Sequence, residues 1–154
     1  MAALLVDIEG TDLPGRRCHP NSQGEGYENI HVYLGRRNAP RDLVPGDAPS
    51  AAWHLDVSIR PDGAGGFDFG GPLVHGKRGE RFLALWWGTV ASDGTFTLFR
   101  GAKLRFADIE QVTLQEAMQP GKRLVGRLGL TDAKGNPRCA SVRPPVIQWS
   151  VTAQ

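Results

Sequence analysis

The sequence has little cysteine, a small net charge and no long hydrophobic run, and each shortage excludes a class of protein. No stretch approaches the roughly 18 consecutive apolar residues of a membrane-spanning helix, and residues 1–7 lack the basic segment of a secretion signal. We therefore expect a cytoplasmic protein with no membrane partner. A net charge of +2 is too small to indicate nucleic-acid binding by itself, so no nucleic-acid partner is expected.

The two cysteines, Cys18 and Cys139, stand far apart in the chain. Without a secretion signal, this usage predicts free thiols in a reducing compartment. Together with His19 and His75 they lack the close ligand spacing of a zinc site, so no metal is expected. Cys139 could act as a nucleophile beside a basic residue, but the alternative is a small buried side chain.

Motifs for common chemistries are missing as well. There is no nucleophile elbow, no phosphate-binding loop and no dinucleotide fingerprint, and we expect no cofactor. Residues 78–85 partly match an RNA-recognition strand, but Glu80 and Leu85 stand where that strand needs aromatic rings. Asp7 and Glu9 alternate with apolar residues, which favours a solvated strand face over a catalytic pair.

The apolar residues that are present alternate with polar ones, which predicts β-strands. The chain length of 154 residues fits a single domain, residues 1–154. Alternation marks residues 4–8, 30–34, 53–59, 124–130 and 147–151, and a hairpin turn at 92–94 leads into a strand at 95–99. Residues 82–87 are apolar throughout, which is typical of a central strand.

About seven or eight short strands therefore predict an antiparallel β-barrel or β-sandwich. One short helix is expected at residues 108–119, capped by Asp108 with Gln111 in capping-box spacing and ended by Pro120-Gly121. The glycine-rich segment 63–71 is interpreted as a hairpin loop, and residues 134–136 as a turn. The long loop from Thr11 to Glu28 has no periodicity, which is typical of a functional or mobile loop.

The segment 70–88 carries the candidate site, because a glycine-punctuated loop here delivers titratable groups to the mouth of a buried strand. His75 is a candidate acid or base, and its alternative is a loop histidine bonded to backbone. If the predicted hairpin brings Arg81 and Arg100 to one open end, the cations could bind a carboxylate or phosphate. The cations are Lys77, Arg78, Arg81, Arg100 and Lys103. The alternative is a solvated basic rim with Glu80 as local partner.

Trp86 and Trp87 are consecutive, so on a strand they point to opposite faces. We expect one to fill the core and the other to line a pocket or a second packed layer.

Several segments resemble a bacterial single-domain family of unknown function. They are IEGTDLPG (residues 8–15), NIHV (29–32), VHGKRGERF (74–82), FRGAKL (99–104), GRLGLTD (126–132) and VRPP (142–145). The resemblance covers nearly the whole chain and implies one domain. It implies no activity, substrate or catalytic residue.

The leading functional hypothesis is a pocket at one end of the barrel or sandwich for a small anionic or aromatic metabolite. Arg81 and Arg100 would bind its charge, one tryptophan would stack on it, and His75 would carry protons in cofactor-independent acid–base chemistry. The alternative is a non-catalytic protein–protein interaction module that uses loop 11–28 and the basic rim. We also consider a homodimer.

Overall fold

The computed structural model describes residues 2–10, 16–20, 26–35, 37–40, 52–130, 135 and 137–154. Within these ranges the chain is mainly β, with ten strands in two five-stranded sheets. The strands are β1 Ala2–Gly10, β2 Arg17–Cys18, β3 Glu28–Leu34, β4 Ala52–Pro61, β5 Phe67–Gly70, β6 Val74–His75, β7 Phe82–Val90, β8 Phe96–Arg105, β9 Lys122–Gly129 and β10 Val146–Ala153. Residues 11–15 and 21–25 of the predicted long loop, and 134 and 136 of the predicted turn, lie outside the described residues.

Sheet A has the strand order β10-β9-β1-β4-β5. Its central strand, β1, pairs antiparallel with β4 and parallel with β9. The alternation predicted for β1 is confirmed, because Leu4, Val6 and Ile8 are almost fully buried on one face. The parallel pair means that the sheet is mixed rather than purely antiparallel.

Sheet B is built around β7, which pairs with β3 and β6 on one edge and with β8 on the other. The predicted central strand is therefore confirmed. Leu83 and Leu85 face the core, and Ala84 on the opposite face is also buried. Burial on both faces explains why the sequence of this strand is apolar without alternation.

Both sheets contribute side chains to one hydrophobic cluster, which the helix also joins. Leu124 comes from sheet A, Trp87 from sheet B and Leu114 from the helix. The strands of the described ranges do not close into a barrel. The expected count of seven or eight strands is wrong, since β2 and β6 have only two residues each and β5 lies within glycine-rich segment 63–71.

The helical region differs from the prediction at its start. A 3₁₀ turn, η1, occupies Phe106–Asp108, and the helix α1 spans Gln111–Ala117 with Glu110 as the residue preceding it. Asp108 therefore does not cap the helix as expected. Leu114 and Ala117 of α1 are buried, whereas Val112 is 66% exposed. Nowhere in the described ranges is a helix long and apolar enough to cross a membrane.

Cys18 and Cys139 form a disulfide, so the expectation of free thiols, and with it a nucleophilic Cys139, is wrong. Their neighbours bring them together, because His19 and Arg138 form an isolated parallel bridge. The N–H of His19 donates to the carbonyl of Pro137 at 2.8 Å, and the N–H of Cys139 donates to the carbonyl of His19 at 2.8 Å. The two cysteine Cα atoms consequently lie 4.9 Å apart across a separation of 121 residues.

Candidate functional site

A cavity of about 780 Å³ lies where β6, the start of β7 and the end of β8 meet. Its volume falls within the range of small-molecule sites. Polar and charged side chains dominate its lining, supplied by Arg37, His75, Lys77, Glu80, Arg81, Lys103, Arg105 and Asp108, with Val74, Phe82 and Ala107 as apolar contacts. We refer to it as the cationic cavity.

Positive charge exceeds negative charge in this lining. Among the described residues, five permanent cations line the cavity against two carboxylates, Glu80 and Asp108. One of the cations, Lys77, is paired with Glu80 at 3.8 Å, and both side chains are largely exposed. Such an exposed pair contributes little energy, so a ligand anion could displace Glu80 at small cost.

The loop 76–81 that delivers these groups depends on glycine. Gly76 has φ +88°, in the left-handed region, and a Cβ there would collide with the carbonyl oxygen of Glu80. The N–H of Glu80 donates to the carbonyl of Lys77 at 2.8 Å, which closes a tight turn. The turn sends the chain back toward β7 with the Lys77 side chain at the cavity.

Arg81 is held in place by a buried acid on the neighbouring sheet. Its Nε donates to Oδ1 of Asp68 at 3.1 Å, and its Nη1 donates to the carbonyl of Gly76. Asp68 is only 3% exposed, and Arg60 and Arg78 approach its other oxygen at 3.9 Å each. The Arg81 hydrogen bond is the main influence that lowers the pKa of Asp68 from its ordinary 3.8, against the opposing effect of burial.

His75 is half-buried, and its position is fixed through one ring nitrogen. Nε2 lies 2.8 Å from the carbonyl oxygen of Gly35, to which it must donate. In neutral His75 the proton therefore sits on Nε2, and Nδ1 is the acceptor. The ring also lies against Phe82, with centroids 6.0 Å apart. His75 can therefore be bonded to the backbone through Nε2 and still be a candidate base through Nδ1.

The far wall of the cavity comes from the β7–β8 pair. Phe82 and Arg105 are direct cross-strand partners, and the Nζ of Lys103 lies 4.7 Å from the centre of the Phe82 ring. This cation–π contact holds the ammonium over an apolar surface. It leaves the positive charge available at the cavity.

The structure separates the predicted site residues into two groups. His75, Lys77, Arg81 and Lys103 line the cationic cavity together. Arg78 instead points its Nε toward Asp68. The remaining three, Trp86, Trp87 and Arg100, are described residues that do not line it.

Arg100 lies far from Arg81 because the β8 strand is longer than predicted. Arg100 pairs with Trp87, whereas Phe82, next to Arg81, pairs with Arg105. The expectation that Arg81 and Arg100 share one end of the hairpin is therefore wrong. Arg100 lies five residues along β8 from Arg105, and a strand rises about 3.3 Å per residue, so Arg100 is well away from the end where Arg81 lies.

The two tryptophans do point to opposite faces. Trp87 is 1% exposed and stacks on Phe99, with ring centroids 5.0 Å apart. Trp86 lies over Gly101 on the other face, where a Cβ would collide with its ring. Trp87 is the expected core residue, and Phe82 takes the aromatic place in the cavity that was expected of a tryptophan.

Sequence reasoning missed Arg37, Arg105 and Asp68. Extending the β8 strand beyond Phe99 would have placed Arg105 at the cavity end of the hairpin. Arg37 follows β3, and only the β3–β7 pairing brings it there. Asp68 lies in the glycine-rich segment 63–71, which carries no pattern of its own.

A second polar cluster lies on the outer face of sheet A. Asp7 is 6% exposed, and its two oxygens lie 2.5 Å from Nδ1 of His54 and 2.5 Å from Nη1 of Arg123. The expectation that Asp7 is solvated is therefore wrong. In the described part of the chain, no group of three or more His, Cys, Asp or Glu side chains is placed to hold a metal ion.

Comparison with known proteins assigns a family without an activity. No curated protein and no solved structure matches the chain. A family model does match it, over residues 4–152. This range spans the ten strands apart from the first two residues of β1 and the last residue of β10, and it includes all the described residues of the cationic cavity. The resemblance noted in the sequence is thereby confirmed: the chain belongs to DUF5990, a family of unknown function.

Proposed function

We propose that the cationic cavity binds a small anionic or aromatic metabolite at one end of a two-sheet β-sandwich. One observation carries the proposal: five cationic side chains, against two carboxylates among the described residues, line a single cavity of about 780 Å³. Two of the five are already paired, Lys77 with Glu80 and Arg81 with Asp68. Like charges repel, so a bound anion would offset the positive charge that remains in excess.

The cations would divide the work of binding. Arg81 is already bonded to Asp68 at 3.1 Å, so it serves as a fixed donor with much of its charge neutralised. Lys103 and Arg105 lie two residues apart on β8 and supply positive charge to the same cavity. An anion held between these groups would accept charge-assisted hydrogen bonds.

Acid–base chemistry on the bound anion is a further part of the proposal. His75 lines the cavity, and donation from Nε2 to Gly35 leaves Nδ1 to accept a proton in the neutral ring. Asp108 lines the same cavity and would serve as a partner carboxylate. A His75→Gln variant that binds the anion normally but turns over no substrate would assign this role.

The binding proposal is tested by titrating the protein with inorganic phosphate and with acetate at low ionic strength. Amide chemical shifts at residues 75–81 and 103–105 should move, whereas tryptophan fluorescence should not, because neither Trp86 nor Trp87 lines the cavity. Arg105→Gln should weaken binding about three- to tenfold.

Arg127→Gln is the matched control, since Arg127 is an exposed strand arginine of sheet A that donates to Ser150. It should bind both anions like the wild type. Shifts that are absent, or that the two variants weaken equally, would refute a localised anion site.

The remaining expectations stay predictions. The interaction module would use loop 11–28, of which residues 11–15 and 21–25 lie outside the described residues. Loss of a co-purifying protein on deletion of residues 21–25 would support this module.

Sedimentation would test the homodimer. A cytoplasmic location would be tested by fractionation, and the Cys18–Cys139 disulfide argues against it because such bonds are typical of oxidising compartments.

A further inference from the structure

A second, smaller cavity of about 170 Å³ adjoins the cationic cavity. The two have Gly79, Arg81 and Ala107 in common as lining residues. The smaller one is lined by five apolar side chains as well as by Asp62, Arg81 and Gln111: the apolar ones are Phe67, Phe69, Phe106, Ile109 and Leu114. We refer to it as the apolar cleft.

The walls of the apolar cleft belong to the hydrophobic core. Phe69 and Phe106 stack with their centroids 4.5 Å apart and their planes 11° from parallel. Ile109 and Leu114 are 5% and 4% exposed, so the cleft reaches only a small part of each. Side chains packed in this way keep their positions, and the cleft is therefore preformed rather than opened by a ligand.

Arg81 stands at the junction of the two cavities. Its guanidinium is bonded to Asp68 and to the carbonyl of Gly76, so its position is fixed from two sides. A molecule that spans the junction would place a charged end among Lys77, Lys103 and Arg105 and an apolar end in the cleft.

The polar groups at the rim of the apolar cleft do not oppose an apolar occupant. Asp62 lines the cleft, but its Oδ1 accepts the N–H groups of Ala64 at 2.7 Å and Gly66 at 3.0 Å within its own turn. Gln111 is the first residue of α1 and is exposed. Neither residue has to lose a partner for a ring to enter.

The size of the apolar cleft selects the size of that occupant. A cavity of about 150 Å³ lined by apolar side chains accommodates benzene, which is close to the 170 Å³ found here. Three phenylalanines in the wall favour a flat aromatic partner by edge and face contacts.

We infer that the ligand is a small aromatic acid with a single ring, its carboxylate in the cationic cavity and its ring in the apolar cleft. This inference rests on the proposed anion-binding function and narrows it from an anionic or aromatic molecule to one that is both. Burial of the ring should tighten binding about 10- to 100-fold over the bare carboxylate.

The test compares acetate with phenylacetate, which differ by the ring alone, by chemical-shift titration of the wild-type protein. Phenylacetate should bind at least about tenfold more tightly, and its ring protons should show nuclear Overhauser contacts to the methyl groups of Ile109 and Leu114. Hexanoate, with a flexible apolar tail, should bind more weakly than phenylacetate.

Two neighbouring helix positions provide the variants. Gln111→Trp should fill the mouth of the apolar cleft, abolish the advantage of phenylacetate and leave acetate binding unchanged. Val112→Trp is the matched control, because Val112 is 66% exposed and does not line the apolar cleft. It should leave both affinities unchanged.

The possible results distinguish the aromatic-acid ligand from the anion site on which it depends. If acetate and phosphate bind but phenylacetate binds no more tightly, or if hexanoate equals phenylacetate, the aromatic-acid inference is overturned and the anion site stands. If no anion binds, both are overturned. An advantage of phenylacetate that survives in Gln111→Trp would place the ring elsewhere and overturn the inference as well.

Discussion

Reduction of the Cys18–Cys139 disulfide should cost the protein a large part of its stability. The bond joins residues 121 apart in sequence, so about four-fifths of the 154 residues lie inside the loop that it closes. In the oxidised protein this loop stays closed after unfolding, and the unfolded chain has far fewer conformations than a linear one. Reduction restores those conformations and lowers the free energy of unfolding.

The magnitude follows from the loop length. Chain entropy predicts about 5 kcal/mol for a loop of this size, whereas removal of native disulfides typically costs about 2–5 kcal/mol. We therefore expect a loss of about 3–5 kcal/mol. A domain of ordinary stability has about 5–15 kcal/mol in total, so this loss would leave a domain at the lower end of that range marginal or unfolded at 37 °C.

Urea unfolding measures this loss directly, with the oxidised protein compared with the same protein in excess phosphine reductant. A Cys18→Ala/Cys139→Ala double variant should resemble the reduced protein, and reductant should not change its midpoint. Equal midpoints for the oxidised and reduced wild type would contradict the loop-entropy argument. Two titratable thiols in unreduced, denatured protein would contradict the bond itself.

Two further predictions concern the residues that hold the cationic cavity in place. Arg81 lowers the pKa of Asp68 from 3.8, so the pair stabilises the fold above that pH and loses its effect as the pH falls through the lowered value. The Asp68→Asn variant should therefore unfold more easily than the wild type at pH 7. Its thermal midpoint should also fall less steeply than that of the wild type between about pH 5 and pH 2. Gly76→Ala should lower the free energy of unfolding by at least about 1–2 kcal/mol, because its Cβ would meet the Glu80 carbonyl at a positive φ. Chemical unfolding should show a larger loss for Gly76→Ala than for Gly94→Ala, because Gly94 also has φ +88° but a Cβ there would have no atom within 4 Å. Equal losses in the two glycine variants would show that the turn relaxes freely.

Local pattern was enough to predict most of the strands. In β1, β3, β4, β9 and β10 apolar residues alternate, because one face of each strand packs against the core. The opposite face is mostly exposed in β4, whereas in β3 it is largely buried, with His31 and Tyr33 on it. β7 has no alternation because both of its faces are covered. The strands that were missed, β2, β5 and β6, have two to four residues, which is too short for a period to show.

The misplacement of Arg100 has its cause in the length of β8. Arg100 was expected beside Arg81 because the second strand of the hairpin was predicted to end at Phe99. The strand continues to Arg105, which pairs with Phe82, so Arg105 rather than Arg100 lies next to Arg81. The apolar pattern of residues 95–99 does not continue into Arg100 and Gly101, so it does not show where the strand ends.

The sequence alone determined that the protein is mainly β, that residues 82–87 are a central strand, and that the loop 76–81 carries cations to the edge of the core. These properties depend on hydrophobic period and on glycine positions, which are local. Tertiary structure alone decided that Arg37 and Arg105 join this loop, that Asp68 holds Arg81, and that Cys18 meets Cys139. These contacts bring together residues far apart in the chain, and their energy depends on the packing of the two sheets rather than on any neighbour in sequence.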